Sequence, residues 1–207
     1  TITNGSSSAS ANNSAGYSGA VYVYTRTASY WTQQAYIKAS NAEANDYFGV
    51  SVALSGDTLA VGAISEDSGQ TTITNGSLSS SDNSLTNSGA VYIYRRSASQ
   101  WTQEAYVKPL QSQAAGLFGQ SVALNEDILV VGMPGEASRQ KTISSGALAS
   151  SDRTLAKAGA VYVYNRTGTV WEQQAYIKAS NSDSNDSFGS NISLNAGSLV
   201  VGAAYED

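Results

Sequence analysis

The phrase Gly-Ala-Val-Tyr-Val-Tyr at residues 19–24 returns as Gly-Ala-Val-Tyr-Ile-Tyr at 89–94 and as Gly-Ala-Val-Tyr-Val-Tyr at 159–164. The interval is 70 residues each time. The same interval separates three further sets of residues: Trp31, Trp101 and Trp171; Phe48, Phe118 and Phe188; Gly62, Gly132 and Gly202. A fixed period of this length indicates one structural unit repeated three times.

Each unit predicts four β-strands. Residues 19–26 are rich in Val and Tyr, and a second strand runs from about Trp31 to Lys38. Strands at 51–54 and 59–62 flank a tight hairpin turn. The strand at 19–26 is apolar on both faces, so its sheet must be covered on both sides, and radial stacking of blades does this. The pattern predicts an all-β fold, a β-propeller of four-stranded antiparallel blades, with an ordinary β-sandwich as the alternative.

Composition excludes several classes of function. The chain of 207 residues has no Cys and no His, which excludes thiol chemistry, disulfides and imidazole catalysis. Its net charge is −5, so we expect no nucleic-acid partner. We also expect no membrane span, since no stretch approaches about 20 consecutive apolar residues.

Short motifs within the repeat resemble a known family. Phe48-Gly49 is followed by Val61-Gly62-Ala63, and the pattern recurs twice, at Phe118-Gly119 with Val131-Gly132 and at Phe188-Gly189 with Val201-Gly202-Ala203. This pattern resembles the FG-GAP repeat of the integrin α-subunit propeller, and its bacterial surface-protein type fits best. The resemblance implies a propeller of about seven blades, a place outside the cell or on its surface, and a non-catalytic role in adhesion or protein binding.

The family register divides the chain into two whole blades and two half-blades. It implies that residues 1–47 are strands three and four of a blade, 48–117 and 118–187 are full blades, and 188–207 are strands one and two. The two ends are therefore complementary. Further blades would come from the same parent chain or from another copy, and two copies would give six blades.

Integrin-type repeats often carry a calcium loop between the first and second strands, and this chain departs from that pattern. The corresponding positions are the tight turns at 55–58, 125–128 and 195–198, and the third has no acidic residue. Calcium takes six to eight oxygen ligands, commonly from a loop of about a dozen residues. The family's calcium site is not carried over.

The long connections at 64–88 and 134–158 are the candidate ligand-binding segments, and the family register places them on the same face as the connection at 39–47. They are rich in Ser, Asn and Asp and much longer than ordinary hairpin loops. Six acidic residues in these connections, together with Asp186 at the position equivalent to Asp46, are the candidate ligand-binding residues: Asp46, Glu66, Asp67, Asp82, Glu136, Asp152 and Asp186.

Two interpretations of these acids remain open. They could bind sugar hydroxyls or calcium, with Glu66, Asp67 and Asp82 as weak calcium candidates. Alternatively, they accept hydrogen bonds from backbone N–H groups and cap turns, as Asp side chains readily do. Asp82 recurs as Asp152 and corresponds to Asn12 in the first copy.

The repeated Trp and Lys residues have structural interpretations. Trp31, Trp101 and Trp171 could form a sugar-stacking platform, but a fixed strand position favours packing between blades. We expect Lys38, Lys108 and Lys178 to lay their stems along strand edges, with the ammonium groups in solvent.

The leading hypothesis is a non-catalytic extracellular or cell-surface propeller that binds a protein or glycan ligand on the long-loop face. An enzyme is disfavoured because the acids repeat from blade to blade, whereas a catalytic pair is expected once, in one cleft. The alternatives are a lectin-like carbohydrate-binding module and a structural subunit that forms rings or fibres through its half-blades.

Overall fold

The computed structural model describes residues 1–5 and 14–207, so Asn12 lies outside the described part. The described residues form strands and turns, and they contain no helix. The strands are β1 (Ile2–Asn4), β2 (Val21–Thr27), β3 (Tyr30–Ile37), β4 (Phe48–Ser55), β5 (Thr58–Ala63), β6 (Thr74–Asn75), β7 (Ala90–Ser97), β8 (Gln100–Val107), β9 (Ser121–Asn125), β10 (Ile128–Met133), β11 (Ser144–Ser145), β12 (Ala160–Thr167), β13 (Val170–Ile177), β14 (Phe188–Asn195) and β15 (Ser198–Ala203).

These strands form four antiparallel sheets. Sheet I has the order β1-β3-β2, sheet II β4-β5-β7-β8-β6, sheet III β9-β10-β12-β13-β11, and sheet IV contains β14 and β15. The predicted hairpin is present, with Ser55 opposite Thr58 at the end of β4 and β5. The all-β prediction is confirmed.

Sheets II and III each have a fifth strand that the sequence did not predict. β6 is only two residues long and pairs outside β8, with Thr74 opposite Tyr106 and Asn75 opposite Ala105. β11 pairs with β13 in the same way, and β1 pairs with β3 in sheet I. A two-residue strand inside a polar connection leaves no alternating pattern, so only the tertiary structure shows it.

The sheets stack in chain order with an apolar cluster between each pair. Between sheets I and II, Val21 and Ile37 pack with Phe48, Tyr92 and Trp101. The equivalent residues of sheets II and III form the second cluster, and sheets III and IV form the third. Sheets II and III are thus covered on both apolar faces, as their sequence requires.

Close approach between neighbouring sheets requires glycine at one point of each repeat. A Cβ on Gly62 would lie 2.1 Å from the carbonyl oxygen of Gly119, and one on Gly132 would lie 2.0 Å from that of Gly189. A carbon and an oxygen that are not bonded to each other do not approach this closely, so any side chain would push the sheets apart. The repeated Gly of the Val-Gly step therefore sets the spacing of the stack.

Candidate functional site

The connections at one end of the sheets form a continuous polar surface, which we call the loop face (residues 38–47, 64–89, 108–117, 134–159 and 178–187). Within it, the shorter connection that follows β3 contacts the long connection of the next sheet. Asn41 Nδ2 donates to the carbonyl oxygen of Ser80 at 2.7 Å, and Asn83 Nδ2 donates to Glu43 Oε2 at 2.7 Å. These two connections are therefore in direct contact.

The long connection also contacts the shorter one that follows it in the chain. Ser112 Oγ donates to the carbonyl oxygen of Gln70 at 2.6 Å, and the N–H of Ala115 donates to the carbonyl oxygen of Thr86 at 2.9 Å. Hydrogen bonds therefore link the loops from one repeat to the next. The loop face is a connected surface and not a set of independent loops.

Glu66 and Lys108 form a buried ion pair beneath the loop face. Lys108 Nζ lies 3.1 Å from Glu66 Oε2, and the side chains are 0% and 2% exposed. The ammonium also donates to Ser88 Oγ at 2.7 Å and to the carbonyl oxygen of Gly89 at 2.6 Å. Burial lowers the pKa of Lys108, and attraction by Glu66 acts in the opposite direction. Glu66 thus fixes the loop to the end of β8.

Sheet III repeats this pair, whereas sheet I has only the lysine. Lys178 Nζ lies 2.7 Å from Glu136 Oε2, and both side chains are buried. The prediction that the lysine ammonium groups lie in solvent is therefore wrong for Lys108 and Lys178, because each has a carboxylate from its own sheet. Lys38 donates to the Ser18 hydroxyl at 2.7 Å and to a backbone carbonyl, and it forms no ion pair with the residues that the structure describes.

Asp46 and Asp186 cap the short connections of the loop face from buried positions. Asp46 Oδ2 accepts the N–H of Glu43 at 2.7 Å, and Asp186 Oδ2 accepts that of Asp183 at 2.6 Å. Burial raises the pKa of Asp46 to about 7 against the effect of this hydrogen bond, and the negative charges of Glu66, Glu43 and nearby Asp67 raise it further. Asp46 is the candidate acid whose charge state changes near neutral pH.

Asp82 and Asp152 cap turns in the long connections. Asp82 accepts the N–H groups of Gly69 at 2.7 Å and Ser84 at 3.1 Å. Asp152 accepts two backbone N–H groups in the same way, at 2.9 and 3.0 Å. These hydrogen bonds lower the pKa of the exposed Asp82 carboxyl and of the half-buried Asp152 carboxyl. Both side chains already use their oxygens to hold the loop.

The same holds for Asp67, whose Oδ1 accepts the N–H of Asn87 at 2.7 Å. Across residues 1–5 and 14–207, no group of three or more acidic side chains is arranged to hold a metal ion. Glu66, Asp67 and Asp82 do not belong to such a group. Their contacts are those of the turn-capping interpretation.

The loop face also exposes apolar side chains that sequence reasoning missed. Leu78 and Leu148 occupy the same position in successive long connections and are 72% and 60% exposed. Each lies beside the Trp-bearing strand of its sheet, since Gln103 donates to the Leu78 carbonyl at 3.2 Å and Gln173 to the Leu148 carbonyl at 2.8 Å. The signal that could have found them is the interval of 70 residues between two isolated leucines in polar segments.

Trp101 and Trp171 pack between sheets, as predicted. Both are 1% exposed. Trp101 Nε1 donates to Gln34 Oε1 and Trp171 Nε1 to Glu104 Oε1, each at 2.9 Å. Trp31 differs, since its side chain is 68% exposed. Its position in sheet I matches theirs, but no other sheet of the described residues lies against it.

Asparagine side chains hold the backbone of both buried tryptophans. Asn4 Oδ1 accepts the N–H of Trp101 at 2.8 Å, and Asn4 Nδ2 donates to the carbonyl oxygen of Trp101 at 3.3 Å. Asn75 makes the same two contacts with Trp171, at 2.9 and 3.4 Å. The outermost strand of one sheet is thus hydrogen-bonded to the next sheet through a side-chain amide.

Comparison with known families agrees with the motif. The family model described as FG-GAP repeat matches residues 31–94 and 171–207. The chain is an FG-GAP repeat protein. FG-GAP repeats are found in adhesion and protein-binding proteins, form a non-catalytic adhesion-type domain, and typically occur in extracellular or surface proteins.

The matched parts of this FG-GAP repeat protein include the two sheet starts at Phe48 and Phe188 and the loop that carries Leu78. No curated protein matches the chain. Among the residues that the structure describes, no helix has the length and apolar character of a membrane span.

Proposed function

We propose that the stacked sheets are blades of a β-propeller that binds a protein partner through its loop face, outside the cell and without catalysis. Residues 48–117 and 118–187 would each be one full blade, while 1–47 and 188–207 would be half-blades. Support comes from the sequential stacking of sheets with both faces covered, which is the arrangement that radial repetition produces.

The observation that carries the proposed binding role is the exposure of Leu78 and Leu148 at equivalent places. Protein interfaces combine an apolar centre with a polar rim. The two leucines supply apolar area, and the hydrogen-bonded loops around them supply the rim. Because the leucines repeat, a partner would meet the same contact on two neighbouring blades.

The acids of the loop face favour a protein partner over a sugar. Asp67, Asp82 and Asp152 already accept backbone N–H groups, so sugar hydroxyls would compete with the turns for these oxygens. Glu66 and Glu136 are buried against lysines. The exposed side chains at the repeated position are also aliphatic, whereas sugar rings stack best on aromatic surfaces.

The test uses immobilised mucin glycoprotein, before and after removal of its glycans, and immobilised extracellular-matrix proteins. Two variants are compared: L78D/L148D, and the control S77D/A147D, which adds the same charge one residue earlier at exposed positions. We expect binding to at least one protein probe to survive deglycosylation and to fall at least about tenfold only in L78D/L148D.

Two results would contradict the proposal. Binding that disappears with the glycans would favour the lectin-like alternative. Equal loss in both double variants would show that added charge, and not the leucines, is responsible.

A further inference from the structure

The long connection of sheet III differs in charge from that of sheet II. Residues 134–158, which we call the basic connection, contain four basic residues and two acidic ones, whereas residues 64–88 contain three acidic residues and no basic one. The basic residues are Arg139, Lys141, Arg153 and Lys157, and their equivalents 70 positions earlier are Gly69, Thr71, Asn83 and Asn87. The repeat therefore changes charge at four loop positions while its apolar strand motifs recur.

The shorter connections that contact these segments differ in the same direction. Residues 39–47 contain Glu43 and Asp46, whereas residues 109–117 contain no charged residue. Each shorter connection, taken together with the long connection that it contacts, has a formal charge of −5 at sheet II and +2 at sheet III. The loop face thus has an acidic region over sheet II beside a basic region over sheet III.

Hydrogen bonds within the basic connection bring its two basic segments together. The N–H of Arg139 donates to Asp152 Oδ2 at 2.9 Å, and the N–H of Leu155 donates to the carbonyl oxygen of Ala137 at 2.8 Å. The segment that carries Arg139 and the segment that carries Arg153 therefore lie side by side. Their basic side chains belong to one folded piece of the surface.

Most of the positive charge in the basic connection is available to a partner. Arg153 donates to the carbonyl oxygen of Gln111 at 3.3 Å and lies 4.0 Å from the buried Glu136 carboxylate. The other three basic side chains form no hydrogen bond or ion pair with the residues that the structure describes. All four basic residues are exposed, and so are Thr71 and Asn83 in sheet II, which is covered on both faces. Exposure is therefore a property of these loop positions.

Leu148 adds an exposed apolar side chain to the basic region. It belongs to the basic connection and lies beside β13, where Gln173 donates to its carbonyl oxygen at 2.8 Å. Leu78 has the same place in the acidic region, beside β8. The loop face thus presents the same apolar side chain twice, once among basic residues and once among acidic ones.

We propose that the basic connection and Leu148 bind a short acidic segment of a protein partner, in which carboxylates alternate with apolar side chains. This inference rests on the function proposed above and specifies the charge of the partner. The carboxylates of the segment pair with Arg139, Lys141 and Lys157. An apolar side chain of the segment contacts Leu148. Because one exposed ion pair contributes at most about fivefold in affinity, binding requires several pairs together with the apolar contact.

The acidic region beside the basic connection determines which kind of anion fits. Packed sheets are about 10 Å apart, so a long ligand that extends from sheet III towards sheet II soon reaches the acidic region. Nucleic acids and sulfated glycans carry negative charge along their whole length and are repelled there. A protein segment can place its acids opposite sheet III and neutral or basic residues opposite sheet II. The charge pattern therefore favours a protein and also sets its orientation.

The probe is a fluorescein-labelled peptide of four Glu-Asp-Leu triplets, and its binding to the chain is measured by fluorescence anisotropy at low ionic strength. Lys141→Gln and Arg26→Gln each remove one exposed cation, the first from the basic connection and the second from the opposite end of sheet I. We expect Lys141→Gln to raise the Kd about two- to fivefold and Arg26→Gln to leave it unchanged. The triple variant R139Q/K141Q/K157Q should raise it at least about tenfold, and salt at about 0.5 M should remove these differences.

A second pair of variants separates the basic region from the acidic one. Leu148→Ser should raise the Kd for the acidic peptide at least about threefold, because the apolar contact is lost. Leu78→Ser makes the same change at an exposed leucine of the acidic region and should leave the Kd unchanged. Equal effects of the two substitutions would contradict the placement of the peptide at sheet III.

Two further results would overturn the proposal. One is a failure of the acidic peptide to bind at low ionic strength, or equal binding to the triple variant. The other is tighter binding of a heparin octasaccharide or a single-stranded oligothymidylate than of the peptide, since either would assign the basic connection to a polyanion. Neither result decides the proposed function, which fails only if L78D/L148D binds the protein probes as well as the unmodified chain does.

Discussion

Lys108→Met should reveal how strongly the buried ion pair holds the loop face. The substitution keeps the length of the side chain but leaves the Glu66 carboxylate, 2% exposed, without its cation. Removing one partner of a buried pair typically destabilises a protein by about 3–5 kcal/mol, because the remaining charge is uncompensated. The ammonium also gives hydrogen bonds to Ser88 and Gly89, so part of the loss, about 1–2 kcal/mol, belongs to these two acceptors.

The double variant E66Q/K108M divides these contributions. It removes both charges, but the Ser88 hydroxyl and the Gly89 carbonyl oxygen still lack the hydrogen-bond donor that Lys108 supplied. We expect it to recover the charge-related part and to remain about 1–2 kcal/mol below the unmodified chain. Lys141→Met, which removes an exposed lysine without an ion pair among the described residues, should change stability by less than about 0.5 kcal/mol.

The assay is urea unfolding followed by Trp fluorescence, with the midpoint and the slope fitted separately. We expect K108M to lower the urea midpoint more than E66Q/K108M does, with the same dependence of the unfolding free energy on urea concentration. If K108M is no less stable than K141M, or if the double variant is less stable than K108M, the buried charge is not the source of the stability.

Three further predictions concern single positions. Because the pKa of Asp46 is raised to about 7, the folded chain keeps this proton between about pH 4 and 7 while the unfolded chain releases it, so stability falls as the pH rises through that window. Asp46→Asn should therefore raise the thermal midpoint at pH 8 and leave it unchanged at pH 4. Gly132→Ala should lower the free energy of unfolding by at least about 1–3 kcal/mol, as measured by urea unfolding, because its Cβ would collide with the next sheet. Gly16→Ala is the control, since a Cβ there meets open space and should leave the free energy of unfolding unchanged. Trp171→Phe removes a buried indole hydrogen bond and should therefore lower the thermal midpoint, as measured by circular dichroism. Trp31→Phe, at an exposed side chain, should have little effect in the same measurement.

The sequence predicted those features of the fold that local patterns encode. Segments rich in Val and Tyr and apolar on both faces identified the long strands, and the turn from Ser55 to Thr58 identified the hairpin. The packing of Trp101 and Trp171 followed from their fixed place in the repeat. These features depend on residues close together in the chain or on exact recurrence, and both are visible in one sequence.

The features that escaped prediction depend on residues brought together only by the fold. Glu66 and Lys108 are 42 positions apart in the chain. They meet because β5 and β8 run in the same direction and finish at the same end of one sheet. The two residues of β6 are too few to show a strand pattern. Sequence alone also left the role of Asp82 open, and the hydrogen bonds to its own turn support the capping interpretation.

The asparagine contact between sheets has a consequence for where such a stack would separate. An amide side chain can donate to and accept from one peptide unit at once, as Asn4 and Asn75 do. The third copy has Ser145 at this place, opposite Ala175 as Asn75 is opposite Ala105. A single hydroxyl is too short to span both groups of the peptide, so a sheet placed beyond sheet III would be fastened at its outer border by one bond instead of two. Under heat or mechanical load, we expect separation to begin at that border, before the borders that Asn4 and Asn75 hold.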